Sequence, residues 1–163
     1  MFARHIIDSL EFARNGKELR GEIAVAGMPR LQDMLASPEG KISYLVRGYQ
    51  DKGGEPMLEL AMDGSCQLIC QRCLRGFDYP VHLVSHLLLE QEGEISELSH
   101  DDEGPDSIMA DKHLDVEALL EEELLLSLPF APKHPPGVCE AVVKDAEQQG
   151  NTAFAALAKL KSK

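Results

Sequence analysis

Three alternating segments joined by short links constrain this chain more than any other feature. Ile42, Tyr44 and Val46 alternate with Ser43 and Arg47 over 42–49. Leu58, Leu60 and Met62 mark one face of 57–69, and Phe77, Tyr79, Val81 and Leu83 one face of 77–89. An apolar period of two describes strands buried on one side. The link over 51–56 holds Gly53, Gly54 and Pro56, a strong turn signal. Gly64 is expected to break the second run. Consecutive strands with links this short most simply form an antiparallel meander. The turn between its second and third strands is Cys70-Gln-Arg-Cys73.

The remaining elements are shorter. Asp8 is a plausible N-cap and Gly16 a plausible stop for a helix over 8–15. Leu19, Gly21, Ile23 and Val25 alternate with Arg20, Glu22 and Ala24, predicting a strand over 18–26. Pro29 opens a second short helix reaching about Ala36, because proline at the first helical turn loses no hydrogen bond. A helix begins at Asp115 and ends near Pro129. On it Leu120, Leu124 and Ser127 share a face, flanked by Leu119 and Ala118, and this face is expected to pack on the sheet. Pro129, Pro132, Pro135 and Pro136 exclude a helix interior or central strand from the next segment. Asn151-Thr152 would cap a short helix over 153–161 that buries Phe154 and Leu157. The expected fold class is therefore α+β: an antiparallel β-meander packed by a few short helices, with a long acidic loop. One domain spans 1–163, with a mobile acidic loop over 91–107 and a C-terminal tail over 140–163 that carries the short helix.

A C-x-x-C turn aims two sulfurs at one point, as half a tetrahedral metal site or a redox dithiol requires. The redox reading wants the first cysteine at a helix N-terminus in a βαβ unit, whereas this pair lies between strands. Two further cysteines, Cys66 and Cys139, and His134 in the proline-rich segment supply candidate partners. Cys70, Cys73 and Cys139 with His134 would suit a structural Zn²⁺, Cys66 being the alternative fourth ligand. Cys66 is four residues before Cys70, roughly 13 Å along an extended strand, which favours His134. Buried reduced cysteines without metal are the simpler alternative. With no secretion signal expected at the N-terminus, the thiols are read as reduced and the chain as cytoplasmic. No apolar run is long enough for a membrane helix.

Charge separates two further sets of residues. The net charge is −12, yet 90–123 alone holds 14 acidic residues against Lys112. The rest of the chain carries 14 acids and 15 bases and is close to neutral. An acidic segment repels a phosphate backbone and fits a basic protein partner, with Glu97, Asp101, Asp102, Glu103 and Asp106 as candidate contacts. The competing reading is a solvated loop that only aids solubility. Arg72 and Arg75 beside the thiols, with Lys159 and Lys161 near the C-terminus, are the candidate nucleic-acid contacts. The histidines at 5, 82, 86, 100 and 113 are scattered. No nucleophile elbow, phosphate loop or dinucleotide fingerprint occurs, so no catalytic residue is assigned.

Taken in order, Cys70-Gln-Arg-Cys73 with Phe77, Glu121-Glu-Glu-Leu-Leu-Leu-Ser-Leu-Pro129, Pro132-Lys-His134 with Cys139-Glu140, and Asn151-Thr-Ala-Phe154-Ala-Ala-Leu-Ala-Lys-Leu160-Lys resemble the bacterial YceD family, the large ribosomal RNA subunit accumulation proteins. The resemblance covers about the C-terminal 60% well and the first 65 residues in general layout. It departs at Ala153, where a proline before the phenylalanine is expected. The resemblance implies a role in synthesis, processing or stability of 23S ribosomal RNA and in large-subunit assembly. The chain is read as a non-enzymatic factor acting through protein contacts, the alternatives being a direct RNA-binding protein and a zinc-dependent or thiol-redox module. Its implied partners are a ribosomal RNA precursor or a small basic large-subunit ribosomal protein. The resemblance carries over no catalytic residue, but Cys70, Cys73, His134 and Cys139 as a candidate site and Phe154 with Leu157 as a docking or packing helix.

Overall fold

The computed structural model describes residues 4–91 and 105–139. Strand β1, Ile6–Ile7, leads into helix α1, Ser9–Arg14, whose N-cap Asp8 accepts a hydrogen bond from the Glu11 N–H at 3.0 Å. Strand β2, Glu18–Ala24, is followed by two 3-10 turns, Val25–Gly27 and Pro29–Met34, and by β3, Leu35–Ser37. Then come β4, Lys41–Gln50; β5, Pro56–Ile69; and β6, Gly76–Glu90. Beyond the acidic segment lie β7, Asp106–Met109; β8, Leu114–Asp115; and helix α2, Val116–Ser127.

The main sheet has the order β2-β4-β5-β6-β7, with β3 paired to the far end of β5. The meander β4-β5-β6 is antiparallel as expected. The Asp51 carboxylate fixes its first turn, accepting from the N–H groups of Gly53 at 2.8 Å and Glu55 at 2.9 Å. Ile42, Tyr44 and Val46, then Leu58, Leu60, Met62, Cys66 and Leu68, then Val81, Leu87 and Leu89 turn to one face and form its buried floor. Helices α1 and α2 and the 3-10 turns cover that face. The opposite face carries polar rows, one of which runs Glu18, Arg47, Glu59, His86 across four strands. A sheet with one covered and one wet face needs this alternation in every strand.

Several elements differ from expectation for local reasons. Gly64 does not break β5: it pairs with Ile42, and a Cβ there would fall 2.6 Å from the Lys41 carbonyl, so glycine lets β4 approach. The 18–26 strand ends at Ala24, and the segment from Pro29 is a 3-10 turn that gives way to β3 rather than a helix to Ala36. The sheet is mixed, because β7 pairs with β6 in parallel. On α2 the buried side chains are Val116, Leu119, Leu120, Glu121 and Leu124; Ala118 and Ser127 face solvent. The buried Glu121 carboxylate accepts from the Arg30 N–H at 2.6 Å and so ties α2 to the turn over 29–34. Most of the acidic loop, 92–104, and the tail helix over 153–161 lie outside the described residues.

Candidate metal centre

The β5–β6 connection is a tight knuckle. The Cys70 N–H donates to the Arg75 carbonyl at 2.9 Å, and the Leu74 N–H donates to the Cys70 carbonyl at 2.8 Å. Closing so tight a loop puts Leu74 at φ 59°, a left-handed conformation that costs a non-glycine residue about 1–2 kcal/mol. Strain held at one position of a short turn is a mark of a site that the surroundings enforce. The proline-rich segment reaches the knuckle through the Gln71 N–H, which donates to the Pro132 carbonyl at 2.8 Å.

That contact brings four side chains together. The sulfurs of Cys70, Cys73 and Cys139 and a ring nitrogen of His134 all lie within 4.8 Å of one another. Sγ of Cys70 is 3.8 Å from Sγ of Cys139, and Sγ of Cys73 is 3.5 Å from Nδ1 of His134. Bond lengths of about 2.3 Å to sulfur and 2.0–2.1 Å to nitrogen give a zinc tetrahedron S···S edges near 3.8 Å and S···N edges near 3.6 Å. Both distances match these edges. Cys70 and Cys73 are buried, and His134 packs on Phe77 with ring centroids 4.9 Å apart.

The electrostatics differ between the two knuckle cysteines. Burial raises the Cys70 thiol, but the backbone groups of Cys73, His134 and Arg72 outweigh it and bring its pKa down to about 5. At Cys73 the Arg75 backbone favours the thiolate, while burial and the Cys139 and Cys70 sulfurs push the pKa above its ordinary value. Sulfurs this close oppose one another's ionisation, and a cation among them would favour the thiolate forms. Arg72 supplies part of that positive charge: its side chain contacts the Cys139 sulfur, which raises the guanidinium pKa. A divalent ion would supply the rest.

Cys66 stands apart. It lies in the core on β5, paired with Tyr79, and burial pushes its thiol up. The structure thus brings together Cys70, Cys73, His134 and Cys139 and leaves Cys66 out. Arg72 faces the cluster, and Arg75 closes the knuckle through its backbone. Asp106 is exposed at the start of β7. Glu97, Asp101, Asp102, Glu103, Phe154, Leu157, Lys159 and Lys161 lie outside the described residues. Sequence reasoning missed the Arg72–Cys139 and Gln71–Pro132 contacts, for which no local pattern exists. The packing of Phe77 on His134 had a signal in the aromatic that follows the C-x-x-C turn.

Among known families, the model described as Large ribosomal RNA subunit accumulation protein YceD matches residues 58–161. The chain belongs to the YceD family. The match begins within β5 and takes in the knuckle, α2 and the proline-rich segment, so the four clustered side chains all fall inside the YceD region. No curated protein and no solved structure gives a significant match. Membership connects the chain with accumulation of large-subunit ribosomal RNA. Among the described residues of this YceD protein, no helix is long and apolar enough to cross a membrane.

Proposed function

We propose that this protein is a non-catalytic factor in 23S ribosomal RNA maturation or stability and large-subunit assembly. It acts by protein contacts, and Cys70, Cys73, His134 and Cys139 hold a structural Zn²⁺. The observation that carries this reading is the three-sulfur, one-nitrogen cluster within 4.8 Å, two of whose edges have the length of a zinc tetrahedron's. A hydrolytic zinc keeps an open position for water and draws on histidine and carboxylate ligands. Four protein donors leave no such position, and thiolates quench Lewis acidity, so the ion would act as a clamp. It would fasten the proline-rich segment to the end of the sheet.

The acidic segment then serves as the partner-facing feature, holding a basic large-subunit ribosomal protein by electrostatic steering. Direct RNA binding through Arg72 is the weaker reading, because its guanidinium already serves the Cys139 sulfur. The test is complementation of a strain lacking the gene, read as the ratio of large- to small-subunit ribosomal RNA. A protein with Glu97, Asp101, Asp102 and Glu103 changed to amides should restore the ratio poorly and lose capture of basic ribosomal proteins at low salt. Full capture and full restoration by that variant would remove the protein-contact reading. A salt-dependent RNA affinity that falls on Arg75→Ala would put RNA binding in its place.

A further inference from the structure

A second feature lies on the covered face of the sheet, at the end of β6 remote from the knuckle. Between β7 and α2 is a cavity of about 480 Å³ lined by Leu87, Ile108 and Leu119, with Asp106, Glu122, Glu123 and Leu126 around it. Leu119, Glu122, Glu123 and Leu126 recur at i, i+3, i+4 and i+7, so one stripe of α2 borders the groove. Asp106 and Ile108 stand in register with the buried Leu87 and Leu89 and so share their face of the sheet. Leu126 is 76% exposed, a large apolar side chain standing in water beside the opening. Asp106, Glu122 and Glu123 make no ion pair among the described residues. The sheet, as described, ends at β7, so one edge of that strand carries no ladder partner.

We propose that this groove is the docking site for an extended, lysine- or arginine-rich segment of a protein partner. Its apolar side chains would enter between β7 and α2, and its basic ones would meet Asp106, Glu122 and Glu123. Pairing along the β7 edge supplies main-chain hydrogen bonds, and every second side chain of the added strand faces the groove, where apolar and basic ones take turns. Charge complementarity selects this occupant. A rim of three carboxylates with no basic counterpart among the described residues repels a nucleic acid, and the floor of Leu87, Ile108 and Leu119 favours apolar side chains. The inference rests on the proposed action through a basic partner and adds the place where that partner sits. It also gives Glu122 and Glu123 a role different from that of Glu121, which points inward to Arg30.

The test uses the full chain and a fluorescent peptide whose every second residue is in turn leucine and lysine, with threonine between, against its glutamate counterpart. Anisotropy should show salt-sensitive binding of the lysine peptide alone. Glu122→Gln with Glu123→Gln should weaken it about five- to tenfold at low salt, the scale of two partly exposed ion pairs. Leu126→Ser should weaken it about fivefold through lost apolar contact. All three positions are at least partly exposed, and unchanged melting curves will show that the variants remain folded. Weakening only on neutralising Glu97, Asp101, Asp102 and Glu103 would overturn the groove while leaving the acidic-partner reading intact. No effect from either set would overturn both. A photo-crosslinking residue at position 126 should label the peptide. Labelling of residues 140–163 of the same chain, or of a second copy, would assign the groove to that occupant and overturn the proposal.

Discussion

Removing the Glu121 carboxylate tests how the fold supports the candidate centre. In Glu121→Ala the Arg30 N–H loses an acceptor 2.6 Å away at a residue only 6% exposed. The bond is part-buried; a donor left without a partner there costs about 1–3 kcal/mol, and hydrogen bonds to charged groups lie at the upper end of that range. With the apolar contacts of the lost side chain, the expected destabilisation is about 2–3 kcal/mol. In a chain of this size 1 kcal/mol moves the melting temperature by about 2–4 °C, so a fall of about 4–12 °C follows. Glu121→Gln keeps an oxygen acceptor and should lose about 1 kcal/mol or less. Glu122→Ala, exposed on the same helix, should stay within about 0.5 kcal/mol. Urea denaturation followed by far-ultraviolet circular dichroism measures all three, and the midpoint should move without a change in slope. The turn held by Glu121 runs into β3, where Leu35 pairs with Leu68 beside the knuckle, so loosening it should also weaken metal retention. An alanine variant as stable as the parent would refute the reasoning, since Arg30 would then need no protein acceptor.

Gly48→Ala should destabilise by about 1–3 kcal/mol, because its Cβ would fall 2.6 Å from Cα of Ala13 where α1 crosses β4; thermal melting checks it. The metal-free protein should gain stability as pH rises from about 5 towards 9. The folded Cys70 thiol ionises near 5 while the unfolded one stays protonated up to about 9, so the unfolded state binds more protons across that window. Urea midpoints across the window measure this, and Cys70→Ala should flatten the rise. Cys66→Ala should lower stability through lost packing yet leave metal content unchanged, as read by melting and metal analysis of one preparation.

Much of this architecture is legible in the sequence, and the exceptions have physical causes. The meander shows because β4, β5 and β6 each place apolar residues at every second position over many residues. Strand β7 spans only four residues that open with Asp106 and Ser107, and its parallel pairing comes from a contact between distant segments. It reads as loop. Helix α2 carries leucines on most sides, so periodicity could not separate Leu120 and Leu124 from Ser127. Nothing in three successive glutamates marks Glu121 as the one that turns inward. Gly64 looks like a breaker because sequence does not reveal that β4 crowds it. The candidate centre could be read from Cys70, Cys73, His134 and Cys139, since metal chemistry restricts residue types as packing does not. The Arg72 contact with Cys139 could not, because charged residues in turns are commonly solvated.

The central claim is that Cys70, Cys73, His134 and Cys139 close around a zinc ion. Metal analysis of the full chain purified without chelator tests it most directly. The account predicts about one zinc per chain, retained through dialysis and largely lost in Cys73→Ser or Cys139→Ser. Zinc below about a tenth of an equivalent, with no binding when the reduced protein is titrated, would contradict it.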